Sequence, residues 1–182
     1  MMSSLGKAIF LDRDGTLNVD FGYVGTRKTW QWIDGAKEAL KVFVSANYRL
    51  VIVSNQSGIA RGFFSEDDYK ALEESIDAEL AAYGAKPLAW YHCPHHPDIT
   101  GPCPCRKPKP GMLAQALATY PIDPKQSWMI GDRRRDVEAG QALGIATIKL
   151  GVGDSLEDRW ACANHIPLFP SLYQAAIWIT RS

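Results

Sequence analysis

The sequence predicts an α/β fold of three layers, in which a Rossmann-like, mainly parallel sheet carries helices on both faces. Short apolar runs alternate with segments of helical periodicity along the chain, and this alternation implies βαβ units. Three of the apolar runs also end in polar residues that can take part in chemistry. The 182 residues suit one hydrophobic core and no segment is long enough for a second unit, so we expect a single domain over residues 1–182.

Five elements are predicted in the first half of the chain: strand 7–12, helix 35–47, strand 49–54, a helix from 65 to about 83, and strand 88–92. The three strands are short apolar runs, which is typical of buried strands. The first helix places Ala39, Leu40 and Phe43 on one face. Ser65, followed three residues later by Asp68, indicates a capping box at the start of the second helix.

The second half begins with an irregular, proline-rich stretch over residues 92–110. It continues with a helix at about 111–120, strand 127–130, helix 132–143, strand 145–150, a short helix at 156–162 and a C-terminal helix at 171–180. Gly144 is expected to end the helix that precedes the fifth strand, because glycine readily adopts the left-handed conformation of a helix C-terminus.

Polar side chains follow three of the predicted strands at the point where each strand ends. Asp12 and Asp14 follow the first strand, Ser54 ends the second, and Asp132 follows the fourth, with Asp136 one helical turn later. Because ligands bind beyond the carboxyl ends of strands in an open parallel sheet, we expect these side chains at one edge. Crowded carboxylates repel one another unless a cation compensates them, and magnesium suits an oxygen-lined site that also binds phosphate.

The run Asp12-Arg13-Asp14-Gly15-Thr16 resembles the first motif of the haloacid dehalogenase (HAD) superfamily of phosphohydrolases. Further motifs follow in the superfamily's order, namely Ser54, Lys107, and Gly131-Asp132 with Asp136. The resemblance covers about residues 9–150 and implies a magnesium-dependent phosphatase. The chain lacks a large insertion between the first two motifs, where many members carry a cap domain, so a capless HAD-like fold with an open site is expected.

Four longer segments resemble one family within the superfamily, the heptose bisphosphate phosphatases. They read FLDRDGTLNVDFGYV, SNQSGIARG, CPHH and CPCRKPKPGM. This resemblance implies hydrolysis of the 7-phosphate of D-glycero-D-manno-heptose 1,7-bisphosphate, a small phosphorylated sugar, in the synthesis of nucleotide-activated heptose for lipopolysaccharide. Histidinol-phosphate phosphatases share the subgroup and its cysteine-rich loop, so histidinol phosphate or another small metabolite stays open as the alternative substrate.

The resemblance also implies roles in phosphoryl transfer. Asp12 would be the nucleophile that forms an aspartyl-phosphate, and Asp14 would be the general acid and then the base. Ser54 and Lys107 would hold the transferring phosphoryl group. These residue types fit the chemistry, because a carboxylate is an established covalent nucleophile and a lysine stabilises negative charge on phosphoryl oxygens.

Metal and substrate contacts are implied in the same way. Magnesium would be bound by Asp12, the Asp14 carbonyl and Asp132, and Asp136 would orient these ligands or bind the ion itself. The substrate would be contacted by residues from four loops: Asp20, Phe21, Gly22, Tyr23, Ser54, Asn55, Gln56, Ser57, Arg106, Lys107 and Arg133. In the run 133–135, only Arg133 is expected to face the substrate, and the two arginines after it are expected to be solvated.

Three of the four cysteines lie within thirteen residues, which in a reducing compartment indicates a metal site rather than disulfides. A Cys₃His set suited to a closed, tetrahedral zinc site is supplied by Cys93, His95, Cys103 and Cys105. The family resemblance implies zinc at these positions, and His96 stays open as a replacement for His95. The zinc would be structural and would fix a loop of about residues 92–110 that presents Arg106 and Lys107.

Composition weighs against several other classes of protein. Lysine plus arginine equals aspartate plus glutamate at 20 each, which disfavours nucleic-acid and membrane-surface partners. No apolar run approaches about 20 residues, and residues 1–7 lack a signal peptide's apolar stretch, so a cytoplasmic protein is expected, with a monomer as the default. A catalytically silent binding module and a nucleic-acid 3′-phosphatase are further alternatives. The intact Asp12 and Asp14 pair disfavours the first, and the neutral charge disfavours the second.

Overall fold

Six parallel strands form one sheet in the computed structural model, which describes residues 5–181, and their order is β3-β2-β1-β4-β5-β6. Residues 1–4, part of the segment considered above for a signal peptide, lie outside the described residues. The strands are β1 (Ala8–Leu11), β2 (Arg49–Asn55), β3 (Ala89–Cys93), β4 (Trp128–Gly131), β5 (Ala146–Leu150) and β6 (Leu168–Phe169). Five of them correspond to predicted strands, and the three-layer α/β prediction is confirmed.

Seven α-helices within residues 5–181 connect and cover the strands, and two short 3-10 helices lie in the loops at Arg27–Thr29 and Pro124–Gln126. The α-helices are α1 (Ala36–Ser45), α2 (Glu66–Tyr83), α3 (Pro97–Thr100), α4 (Gly111–Thr119), α5 (Arg134–Gln141), α6 (Leu156–Ala163) and α7 (Leu172–Arg181). The capping box of α2 is formed as predicted, because the Asp68 backbone N–H donates to Ser65 Oγ at 3.0 Å and the Ser65 N–H donates to Asp68 Oδ2 at 2.8 Å. None of these helices combines the length and apolar character needed to cross a bilayer.

The sheet separates two apolar layers, because successive side chains of each strand point to opposite faces. Ile9 and Leu11 of β1 pack with α1, α2 and α7, whereas Ala8 and Phe10 pack with α4 and α5. All four of these strand residues are fully buried. The central strand is therefore covered on both sides, and its carboxyl end is the point at which the chain emerges from the core.

Helix α5 begins two residues later than predicted, and the difference matters for the site. We predicted a helix from Asp132, but α5 starts at Arg134, with Arg133 as its N-terminal cap. The Asp136 carboxylate accepts a hydrogen bond from the Arg133 backbone N–H at 3.0 Å and so satisfies one of the free donors of the first turn. Asp132 consequently lies on the loop between β4 and α5.

Candidate active site

The sheet order brings together the polar residues at the strand ends. Strand β1 lies between β2 and β4, so Asp12, Ser54 and Asp132 emerge from three adjacent strands at one edge. The Asp12 backbone N–H donates to Ile130 O at 3.0 Å, which ties the residue after β1 to strand β4. Asp12 and Ser54 are 3% and 1% exposed, so both side chains lie in the protein's interior just below this edge.

Three carboxylates form a cluster that could hold a metal ion. One oxygen from each of Asp12, Asp132 and Asp136 lies within 4.8 Å of the other two. Asp132 Oδ1 is buried and has no hydrogen-bond partner among the described residues. A buried carboxylate oxygen without a donor is costly, and a hard divalent cation with oxygen ligands would satisfy it. The donor set therefore fits magnesium.

The same crowding shifts the acids' protonation equilibria. Burial and the neighbouring Asp136 raise the pKa of Asp12 to about 8, although Lys107 opposes the shift. Burial and Asp136 also raise the pKa of Asp132 to about 6. Because a cation among these oxygens would favour their charged forms, metal binding and carboxylate ionisation support each other at this site.

Lys107 is the cation that the protein itself supplies. Its ammonium lies 2.6 Å from Asp12 Oδ1 and 2.8 Å from Asp136 Oδ1, and it donates to the Val53 carbonyl oxygen at 2.6 Å. Burial lowers the pKa of Lys107, but the charges of Asp12 and Asp136 outweigh it, so the pKa lies above its ordinary value. The side chain is fully buried and charged, directly beside the predicted nucleophile.

Arg13 is buried and binds the Asp14 carboxylate. The sequence does not predict this burial. The Nε and Nη2 atoms of Arg13 lie 3.1 and 2.8 Å from the two Asp14 oxygens, and Arg13 is 1% exposed. The rings of Tyr69 and Trp30 lie 5.3 and 5.8 Å from the guanidinium carbon. This two-point contact fixes the orientation of Asp14. The alternation of charges in the motif gives no sign that its arginine points inward.

Gln56 connects Asp14 to Ser54. Its side-chain amide donates to Asp14 Oδ2 at 2.7 Å and to Ser54 Oγ at 2.6 Å. Asn55 performs a different task, because its amide exchanges two 3.0 Å hydrogen bonds with the backbone of Lys107. Both residues were predicted to contact substrate, and both line the cleft described below, but these contacts also give them a role in holding the site together.

Glycine is required at position 15 because the turn after Asp14 passes very close to Asp132. The Gly15 φ of 82° lies in the left-handed region, and a Cβ there would collide with the Asp132 carboxylate. Gly131 is constrained in the same way, because a Cβ would collide with the Asp136 side chain. Any larger side chain at either position would push apart the carboxylates of the proposed metal site.

A cleft of about 340 Å³ opens beside Asp14. Most of the predicted substrate residues line it: Asp20, Gly22, Tyr23, Asn55, Gln56, Ser57 and Arg106. Phe21 is 61% exposed and does not line it. Arg133 lies at its rim, where Nε is 3.1 Å from Asp132 Oδ2 and Nη2 is 3.8 Å from Asp20 Oδ2.

Sequence reasoning missed four residues that also line the cleft: Gly58, Arg61, His96 and Arg135. Arg135 was expected to be solvated, and this expectation was wrong, because its side chain is only partly exposed and lies against the cleft. Arg61 was visible only as part of the run SNQSGIARG. Its Nη2 lies 2.7 Å from His96 Nε2, a pairing between two loops that no local pattern reveals.

The thiols of Cys93, Cys103 and Cys105 form the second candidate metal site. Their sulfur atoms lie within 4.8 Å of one another, with Cys93 Sγ 3.6 Å from Cys103 Sγ and 3.0 Å from Cys105 Sγ. Burial raises the pKa of Cys103, but hydrogen bonds from the backbone N–H groups of Arg106 and Cys105 and from the other two thiols outweigh it and lower the pKa overall. A cluster of three close thiols on one loop fits zinc.

Neither candidate histidine joins the three thiols in the described part of the chain. His95 contributes a backbone N–H to Cys93, and its ring is not within the 4.8 Å group. His96 has both ring nitrogens occupied, because Nε2 contacts Arg61 and Nδ1 accepts from the Asp98 N–H at 3.3 Å. His95 as the fourth zinc ligand therefore stays a prediction, and the contacts of His96 argue against the alternative.

An acid directly after the central strand, a second acid two residues later and a buried lysine beside a carboxylate cluster define the HAD class of phosphohydrolase. Comparison with known proteins agrees. Residues 104–174 match the family model described as HAD-hydrolase-like. The chain is 48% identical over 166 residues to the D-glycero-beta-D-manno-heptose-1,7-bisphosphate 7-phosphatase of Pasteurella multocida (strain Pm70), covering 88% of this chain and 90% of that protein.

Two further relatives extend the comparison. The phosphatase of the same name from Escherichia coli (strain K12) is 39% identical over 181 residues, covering 96% and 88% of the two chains. The crystal structure of D,D-heptose 1,7-bisphosphate phosphatase from B. bronchiseptica, complexed with magnesium and phosphate, superposes with a TM-score of 0.84 at 30% identity, covering 96% and 98%. The chain belongs to the HAD superfamily and, within it, to the family of these phosphatases, and it is a hydrolase of phosphoric monoesters.

Proposed function

We propose that this chain hydrolyses the 7-phosphate of D-glycero-D-manno-heptose 1,7-bisphosphate in the biosynthesis of nucleotide-activated heptose, with Asp12 as the nucleophile. The observation that carries the proposal is the contact between Asp12 and Lys107, 2.6 Å long and buried at the end of the central strand. Asp14 lines the cleft two residues further along. The names and high identities of the relatives support the choice of substrate.

The residues account for both displacements of the reaction. An Asp12 oxygen bonds to phosphorus while the bond from phosphorus to the sugar oxygen breaks, and Asp14 gives its proton to that departing oxygen. Water then attacks phosphorus, Asp14 takes a proton from the water, and the bond between Asp12 and phosphorus breaks. Ser54 and Lys107 stabilise the negative charge on the phosphoryl oxygens in both steps.

Magnesium would be held by the carboxylates of Asp12 and Asp132 and by the Asp14 carbonyl. Asp136 is already paired with Lys107 and with the start of α5, which suits it to orienting this set. When bound, the ion supplies positive charge that offsets the clustered carboxylates and the phosphoryl group.

The zinc proposal leads to a prediction about turnover. Zinc on Cys93, Cys103 and Cys105, with His95 as the fourth ligand, would fix the loop immediately before Lys107. Cys105→Ser is therefore expected to lower kcat at least about tenfold, because the displaced loop misplaces the Lys107 ammonium. Turnover and zinc content would be measured together, the latter by atomic absorption.

Cys162→Ser is the matched control, because Cys162 is exposed and lies outside the thiol cluster. It should leave both zinc content and kcat unchanged. Full activity in a zinc-free Cys105→Ser protein would exclude a role for the metal in positioning Lys107.

Histidinol phosphate is the main alternative substrate, and charge in the cleft separates the two candidates. Arg61 and Arg106 line the cleft, where they would attract a second phosphate but repel the ammonium group of histidinol phosphate. We expect kcat/KM for heptose bisphosphate to exceed that for histidinol phosphate by at least about 100-fold. Phosphate release from both anomers of the bisphosphate and from histidinol phosphate would measure this ratio, and equal values would refute the heptose assignment.

We also infer that the enzyme acts as a cytoplasmic monomer without nucleic-acid or membrane partners. The balanced charge of the sequence supports the absence of an anionic polymer partner. Phosphate release in the assay above would likewise exclude a catalytically silent binding module.

A further inference from the structure

Three consecutive arginines follow Asp132, and the first two have protein partners. Arg133 lies 3.1 Å from the Asp132 carboxylate and close to Asp20, as described above. Arg134 pairs with Glu138 at 2.7 Å, and its guanidinium lies 4.5 Å from the centre of the Trp160 ring. Both side chains are about half exposed, and these contacts with neighbouring protein groups account for their positions.

Arg135 differs from its two neighbours. It lines the cleft beside Asp14, and no ion pair or hydrogen bond joins its side chain to another of the described residues. Its Nε is buried without an acceptor. A buried N–H donor that lacks an acceptor is costly, so this arrangement points to an acceptor that comes from outside the chain.

The cleft around Arg135 carries positive charge that the protein compensates only in part, because Arg135 is attracted to Asp132 but no described carboxylate lies within ion-pair distance of it. Arg61 and Arg106 line the same cleft, and their contacts there are with His96 and with the His95 carbonyl oxygen rather than with carboxylates. The two acids of the cleft already have cationic partners, because Asp14 forms an ion pair with Arg13 and Asp20 lies 3.8 Å from Arg133. A ligand group that bears negative charge would therefore be favoured here.

We propose that Arg135 is a specificity-determining residue that binds the second anionic group of the substrate, away from the phosphoryl group that is transferred. The inference rests on the proposed function, because it requires a substrate with two anionic groups. A guanidinium presents its donors as a planar fork that matches phosphate oxygens, so one arginine can make a two-point contact with the second phosphate. Arg135 touches the part of the substrate that does not react.

The test compares Arg135→Gln with Arg134→Gln on two substrates. For heptose bisphosphate, Arg135→Gln should lower kcat/KM about ten- to a hundredfold, mainly through KM, because a charged hydrogen bond is lost. For p-nitrophenyl phosphate, which has no second anionic group, the same variant should match the wild type. Arg134→Gln should match the wild type on both substrates, and Arg135→Lys should recover part of the loss.

Equal losses on both substrates would show that Arg135 acts on the structure of the site, and an unchanged kcat/KM for the bisphosphate would also overturn the inference. Wild-type protein that is inactive on heptose bisphosphate would overturn the proposed function instead. In that case the comparison of fructose 1,6-bisphosphate with fructose 6-phosphate decides the role of Arg135, because only the first carries a second phosphate.

Discussion

Replacing Asp12 with asparagine is expected to lower phosphate release at least about 10⁴-fold and to leave the fold intact. The amide cannot form the bond to phosphorus that the proposed first step needs. No other carboxylate among the described residues could replace Asp12, because none combines its position directly after β1 with a contact to Lys107. Single-turnover assays on heptose bisphosphate with magnesium present would measure the loss. Residual turnover within tenfold of the wild type would refute Asp12 as the nucleophile.

The free energy of unfolding provides an internal control for the Asp12→Asn variant. Without bound metal, the charged form of Asp12 destabilises the folded protein. The pKa of Asp12 rises from 3.8 to about 8 on folding, so the wild type should lose stability as pH rises between those values. Asp12→Asn removes this contribution, whereas the smaller shifts of Asp132 to about 6 and of Glu73 to about 7 remain in both proteins. In EDTA, the free energy of unfolding should therefore fall less between pH 5 and pH 8 in the variant than in the wild type, as measured by urea denaturation.

A variant that unfolds more readily than the wild type at pH 8 would contradict this account of the site. Magnesium should stabilise the wild type most at high pH, where its ligands are ionised, since a ligand that binds only the native state shifts the unfolding equilibrium.

The parts of the fold that the sequence predicts well are those whose residues are buried on both sides. Strands β1, β2 and β4 are apolar runs that end in polar residues. In the structure all of their residues are buried, except at the ends of β2 and the start of β4, and a turn or bend follows each strand. Strand β6 was missed because Leu168–Phe169 is two residues long and gives no periodicity. The start of α5 was misplaced because it depends on a hydrogen bond from the Arg133 backbone N–H to the side chain of Asp136, which looks like an ordinary helical position in the sequence.

In the candidate site, too, the positions that the strands determine are predictable from the sequence, and those that the loops determine are not. Topology alone brings Asp12, Ser54 and Asp132 to one edge, so a sequence that fixes the strands also fixes these neighbours. The direction in which a long side chain points is a different matter, because it depends on which loops pack over it. Arg13 is buried and Arg135 lines the cleft for this reason, although both were indistinguishable in the sequence from solvated charges.

Lys107→Gln is expected to lower kcat about 10²- to 10³-fold, the second largest effect among these variants. The ammonium lies 2.6 Å from Asp12, where negative charge must be balanced while phosphorus approaches this carboxylate. Glutamine can replace a hydrogen bond but cannot supply charge, so the transition state loses more stabilisation than the bound substrate. Steady-state kinetics should show the loss in kcat, with a smaller change in KM.

Stability separates this loss from a general disturbance of the core. Breaking a buried ion pair by removing one partner costs about 3 kcal/mol or more, and Lys107→Gln leaves Asp12 and Asp136 facing each other. Lys149→Gln is the matched control, because Lys149, near the end of β5, is also buried and is paired with Asp158 of α6. Both variants should unfold more readily, but only Lys107→Gln should lose turnover. Equal losses of kcat in the two variants would show that Lys107 acts only through stability, and the charge beside Asp12 would then have no part in the reaction.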